Sequence, residues 1–155
     1  MAISKLGESV PVYAPFDATG ITSFPVGEKR EISGIGVETV PSYNAVKTQY
    51  HPRRDGNAGF IFTLGETRVY VAGDTERIPE MKEIECDIAV VPLGQVYTML
   101  SVEDAVESVL DSGASIGVPT HYGSAEGTES DAQRFKDLLI GKGAKSVFLQ
   151  PLELK

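Results

Sequence analysis

The chain has 155 residues, 41% apolar and 23% charged, a balance that suits one soluble domain over residues 1–155 with a real core. A formal net charge of −8 disfavours a nucleic-acid phosphate backbone, and no apolar run is long enough to cross a membrane. The opening MAISKLGESV lacks the basic start and apolar stretch of a secretory signal, so a cytoplasmic protein is expected.

In chain order, VPVYA (10–14) reads as a short strand, and the residues after Phe16 turn out of it. Arg30–Ile32 and Val37–Val40 read as a hairpin around Ser33-Gly34-Ile35-Gly36. That glycine pair is a turn and not a nucleotide loop, since no third glycine or helix follows. A polar loop from Pro41 to Gly59 holds Tyr43, Asn44, Tyr50 and His51, and a long loop of this kind is often functional. Phe60–Leu64 and Val69–Ala72 form a second hairpin across Gly65-Glu66. The near-continuous apolar run Asp87–Leu93 predicts a strand covered on both faces.

Two helices follow. Ser101 with Asp104 predicts the first start, and Val102, Ala105, Val106, Val109 and Leu110 form one apolar stripe that ends at Gly113. Ser130 with Gln133 behind it predicts the second, with Phe135, Leu138 and Leu139 as its buried face. Ser115–Pro119 and Ser146–Gln150 complete the strands. Hairpins first, then alternating strand and helix, give an α/β (α+β layered) domain. The lone cysteine, Cys86, excludes an internal disulfide or a cysteine-held metal, and it is expected to be a small buried residue.

Histidines occur only at 51 and 121. Asp74, in RVYVAGDT (68–75), and His121 each stand at the carboxyl end of a predicted strand, where α/β folds tend to bind ligands. A carboxylate and an imidazole meeting there suit zinc, manganese or iron. Taken singly, each has a plainer reading: Asp74 as a turn cap, His121 and His51 as surface residues.

Six pieces in order change that balance: VPSYN (40–44), HPRRDGNAGF (51–60), RVYVAGDT (68–75), DIAVVPLG (87–94), YTMLSVEDA (97–105) and VPTHYG (118–123). Together they resemble the metallo-β-lactamase-fold hydrolases, in particular the branch similar to L-ascorbate-6-phosphate lactonase. The resemblance implies a partial metallo-β-lactamase-like β-sandwich flanked by helices. It also implies hydrolysis of an ester, lactone or phosphoester by metal-held hydroxide. Asp74 then bridges two ions, Gly73 lets the backbone before it pack tightly, and His121 binds one ion. Either His51 or Asn44 takes the family's third-motif position. Arg53 and Arg54 are candidates to steer a small anionic substrate.

The family's His-x-His-x-Asp-His run has no counterpart, and no histidine precedes His51. The chain therefore looks like a relative that begins late, with each ion about one ligand short. Weak metal binding by the chain alone is expected. So is an exposed sheet edge or apolar face, covered by a second copy or a complementing chain. The competing reading is a non-catalytic, degenerate relative acting as a binding or assembly subunit.

Overall fold

In the computed structural model, which describes residues 10–17, 19–123 and 126–149, seven strands lie side by side in sequence order. These are β3 (Lys29–Ile32), β4 (Ile35–Pro41), β5 (Ala58–Leu64), β6 (Thr67–Val71), β7 (Ile88–Pro92), β8 (Ile116–Thr120) and β9 (Lys145–Ser146). A separate parallel pair joins β1 (Tyr13–Ala14) to β2 (Thr22–Ser23). The large sheet is antiparallel from β3 to β6 and parallel from β6 to β9.

Both hairpins form as the sequence suggests. Ser33 and Gly34 both take positive φ, 52° and 80°, which suits the two-residue turn that sets Ile32 opposite Ile35. The second hairpin closes between Leu64 and Thr67. Most strand bounds differ from expectation by one or two residues; the first strand shrinks to two residues, and β8 shifts one residue along, to Ile116–Thr120. The last strand begins at Lys145 and ends at Ser146, and the expected terminus Gln150 lies outside the described residues. The two shortened strands, β1 and β9, each pair along one edge only among the described residues.

Helix α1 (Val102–Asp111) starts at Ser101, whose Oγ accepts the Asp104 N–H at 3.1 Å. Its predicted stripe is buried at Val102, Ala105, Val106 and Val109, with Leu110 partly buried against the core. Helix α2 (Glu129–Gly141) is capped by Thr128 rather than Ser130. Thr128 Oγ1 accepts the Asp131 N–H at 3.1 Å, while Asp131 Oδ2 accepts the Thr128 N–H at 2.8 Å. A carboxylate at the third position serves that reciprocal box better than the amide of Gln133, and Ser130 is left in the first turn. Hydrogen bonds donated to Asp131 Oδ2, by the Thr128 backbone N–H first and then by the Thr128 hydroxyl, hold the Asp131 carboxyl below its ordinary range.

Strand register gives each sheet face its residues. Ile61, Tyr70, Ala89 and Gly117 are successive partners in one row. The helices pack on this face. A Cβ on Gly117 would lie 2.6 Å from Leu139 and 3.1 Å from both Phe135 and Val109, so only glycine fits. Phe60, Phe62, Val69, Val71, Ile88, Val90 and Ile116 alternate to the opposite face and are half-buried. The expectation that Asp87–Leu93 is covered on both faces is thus met on one face only among the described residues: Ala89 and Val91 are fully buried, Ile88 and Val90 are not. Cys86 is buried, donating to Ser112 O, and burial pushes its thiol pKa up. No helix of the described residues is long and apolar enough to cross a membrane.

Candidate metal centre

Strand β6 ends at Val71, buried Ala72 follows, and the chain then turns through Gly73 at φ 70° to present Asp74. A Cβ on Gly73 would meet Ser42 Oγ at only 3.4 Å, an ordinary contact. Backbone conformation, not close packing as the sequence suggested, therefore demands the glycine. The hydroxyl after the carboxylate has a local task. Thr75 is fully buried, and its Oγ1 accepts the Tyr43 N–H at 3.0 Å and lies 2.8 Å from Tyr43 O. Ser42 Oγ donates to Asp74 O at 3.2 Å. The long loop is thereby stitched to the segment that carries Asp74.

His121 follows β8 in the left-handed region, φ 58°, unusual for a non-glycine residue. Gly127 N–H donates to its carbonyl at 2.9 Å, and Thr120 Oγ1 lies 3.1 Å from its Nδ1. Its Nε2 stands 3.1 Å from Asp74 Oδ1. From the other side, His51 Nε2 stands 3.7 Å from Asp74 Oδ2. The structure therefore brings all three predicted residues together, with one carboxylate oxygen turned to each imidazole.

Asn44 lies elsewhere. Its Nδ2 donates to Tyr97 O at 2.7 Å and Lys47 O at 3.3 Å, which leaves His51 as the loop residue that faces Asp74. Arg53 is engaged too: its Nη2 is 2.9 Å from Glu80 Oε1 and its guanidinium lies over the Tyr43 ring. Tyr43 OH donates to the same carboxylate at 3.0 Å. Arg54 is largely exposed, 3.9 Å from Asp55.

Sequence reasoning missed a second layer. Glu76 is 1% exposed, and its carboxylate accepts N–H groups from Ala45 at 2.8 Å, Val46 at 2.6 Å and Lys47 at 2.7 Å. Lys47 Nζ donates to Gln95 O at 3.0 Å and Met99 O at 2.9 Å. Glu126 Oε2 accepts from Val96 N at 3.2 Å and Tyr97 N at 2.8 Å. The only available cue was an acidic residue two places after Asp74, at a strand end.

Imidazole nitrogen and carboxylate oxygen are donors that zinc, manganese or iron accept, and a carboxylate offering one oxygen each way can bridge two ions. The donor count falls short. Each side of Asp74 offers one imidazole, whereas a catalytic zinc normally takes three protein ligands and a water. Among the described residues no group of three or more His, Cys, Asp or Glu side chains is arranged to hold an ion. The residues thus fit a metal in type and fall short in number. A cavity of about 330 Å³ lies apart from this centre, lined by Glu38, Arg68, Ile78, Glu80 and Met81 among others.

A family model described as the beta-lactamase superfamily domain matches residues 4–122. The chain is 30% identical over 148 residues to a metal-dependent hydrolase of Thermoplasma acidophilum, covering 87% of this chain and 65% of that protein. A solved chain from Parabacteroides distasonis, assigned as a metal-dependent hydrolase, matches with TM-score 0.80 and 31% identity over 95% of this chain and 68% of that one. A metallo hydrolase of Ignicoccus hospitalis shares the fold at TM-score 0.68 and 22% identity, over 86% of this chain and 61% of its own. The chain spans about two thirds of the length of these relatives.

Proposed function

Since the chain belongs to the beta-lactamase superfamily, we propose that it serves metal-dependent hydrolysis, with Asp74, His121 and His51 as the residues that hold the metal. The observation that carries this reading is the pairing of one Asp74 oxygen with each imidazole. A divalent ion held by these residues, whether zinc, manganese or iron, would supply Lewis-acid polarisation and an activated water for an ester, lactone or phosphoester. The chain's own residues do the positioning. Gly73 sets the direction of Asp74, and Thr120 fixes the Nδ1 side of His121, leaving Nε2 for the centre. The narrower reading, kinship with the L-ascorbate-6-phosphate lactonase branch, rests on the six sequence pieces and makes a lactone the first substrate to try. The lone buried thiol of Cys86 is in keeping with a cytoplasmic protein.

The shortfall of ligands favours a second reading, a non-catalytic relative that binds or assembles. Turnover separates the two. Purified chain is assayed with a γ-lactone, p-nitrophenyl acetate and bis-p-nitrophenyl phosphate, with added zinc or manganese. The hydrolytic reading expects metal-dependent turnover that Asp74→Ala abolishes. No turnover of any of these, with zinc bound weakly or not at all, favours the binding subunit.

The half-buried apolar face of β5 to β8 also bears on assembly. A face carrying Phe60, Phe62, Val69, Val71, Ile88 and Val90 is rarely left open to water. A second copy of the chain is proposed to cover it, because a face of this composition is complementary to itself. Light scattering at micromolar concentration should give twice the chain mass, and a monomer would overturn the proposal.

A further inference from the structure

We propose that Glu76 is a positioning residue that sets His51 against Asp74, an inference that rests on the reading of this centre as a metal site. Glu76 is almost wholly buried, and a buried carboxylate is costly unless its oxygens are satisfied. Here they are satisfied by three consecutive backbone N–H groups of one loop, at 2.6 to 2.8 Å. Successive N–H groups curved round an anion form a concavity that only a particular backbone conformation provides. The charge thus selects the shape of residues 45–47.

That shape reaches His51 within a few residues. Tyr50 N–H donates to Lys47 O at 3.1 Å, and Asn44 N–H donates to His51 O at 2.7 Å, so residues 44–51 close into one turn. Lys47 is its joint. The backbone N–H of Lys47 is held by Glu76, while its Nζ reaches over to Gln95 O and Met99 O. Asn44 ties the same turn to Tyr97. Glu76 stands two residues beyond Asp74, so a single short segment presents the carboxylate and fixes the loop that brings one imidazole to it.

The other imidazole has a separate support. His121 leaves the end of β8 and is held by Thr120 and Gly127, none of which is hydrogen-bonded to Glu76 among the described residues. Disturbing Glu76 should therefore move one side of the centre and spare the other. A general loss of packing would disturb both.

Because the chain has only two histidines, the two imidazole rings can be followed separately by NMR in metal-free protein. In Glu76→Gln one oxygen becomes a donor and faces backbone donors. The His51 ring resonances should shift and broaden while those of His121 stay in place. Glu76→Asp keeps the charge one methylene shorter and should fall between wild type and Glu76→Gln. It also carries the comparison if Glu76→Gln does not fold. With zinc as probe, Glu76→Gln should weaken binding about tenfold, the usual scale for a residue that orients a ligand. That loss should vanish when His51 is already alanine, as a double-mutant cycle requires if Glu76 acts through His51. Equal movement of both rings, movement of neither, or an undiminished zinc effect in the His51→Ala background would overturn the proposal. If wild type takes up no zinc, the metal reading fails, while the ring comparison still decides the role of Glu76.

Discussion

Replacing Asn44 and His51 in turn should produce opposite phenotypes, because the two neighbours in one loop have different work. Asn44 is 1% exposed and donates two hydrogen bonds, to Tyr97 O and Lys47 O. Asn44→Ala loses both, at about 1 kcal/mol each. The Lys47 carbonyl suffers less, since Tyr50 N–H also donates to it. The expected loss is about 1–2 kcal/mol, or about 2–8 °C in Tm for a chain of this size. His51 is a partly exposed ring, 3.7 Å from Asp74. His51→Ala should change stability by no more than about 0.5 kcal/mol. Urea denaturation gives the first quantity and zinc or manganese uptake on a chelating column the second. Asn44→Ala should unfold earlier and keep its metal, whereas His51→Ala should unfold normally and bind metal more weakly. The reverse pattern would refute the assignment of His51 to the centre and Asn44 to the loop.

Gly73→Ala places a side chain at φ 70°, which should cost about 1–2 kcal/mol in urea denaturation and reduce metal uptake by misdirecting Asp74. Thr128→Ala should destabilise the fold by about 1 kcal/mol through loss of the capping box, and Ser130→Ala should stay within about 0.5 kcal/mol, which thermal melts of the pair would read. The Arg68 hydrogen bond at 2.8 Å holds the Glu38 carboxyl below its ordinary range. Its folded pKa is depressed, so the associated stability is present above the unfolded value of 4.5 and lost as pH falls through the folded one. Melts from pH 6 down to pH 3 should show Glu38→Gln with a flatter pH dependence than wild type.

Much of the fold was legible because its determinants are local. Gly34 marks its turn by the φ freedom of glycine, and Ser101 with Asp104 closes a helix start over four residues. Asp74 could be found because a strand pattern stopped on it. The second helix start was missed for a local reason: the cap is Thr128 and not Ser130, because Asp131 completes a box with it. The rest of what escaped depends on groups distant in sequence. A strand covered on one face reads in sequence like one covered on two, since apolar residues are equally tolerated on a half-buried face. Arg53 looked available to a substrate until Glu80, distant in sequence, was found beside it. Glu76 carries no motif at all. Its importance lies in backbone donors some thirty positions earlier, which no periodicity reveals.

The most direct test is calorimetric titration of zinc into the purified chain, wild type and Asp74→Ala. Wild type should take up zinc with lower affinity than a site of three protein ligands allows, and Asp74→Ala should take up none. Two tight sites per wild-type chain, or zinc uptake unchanged by Asp74→Ala, would contradict a centre built on one carboxylate and two imidazoles.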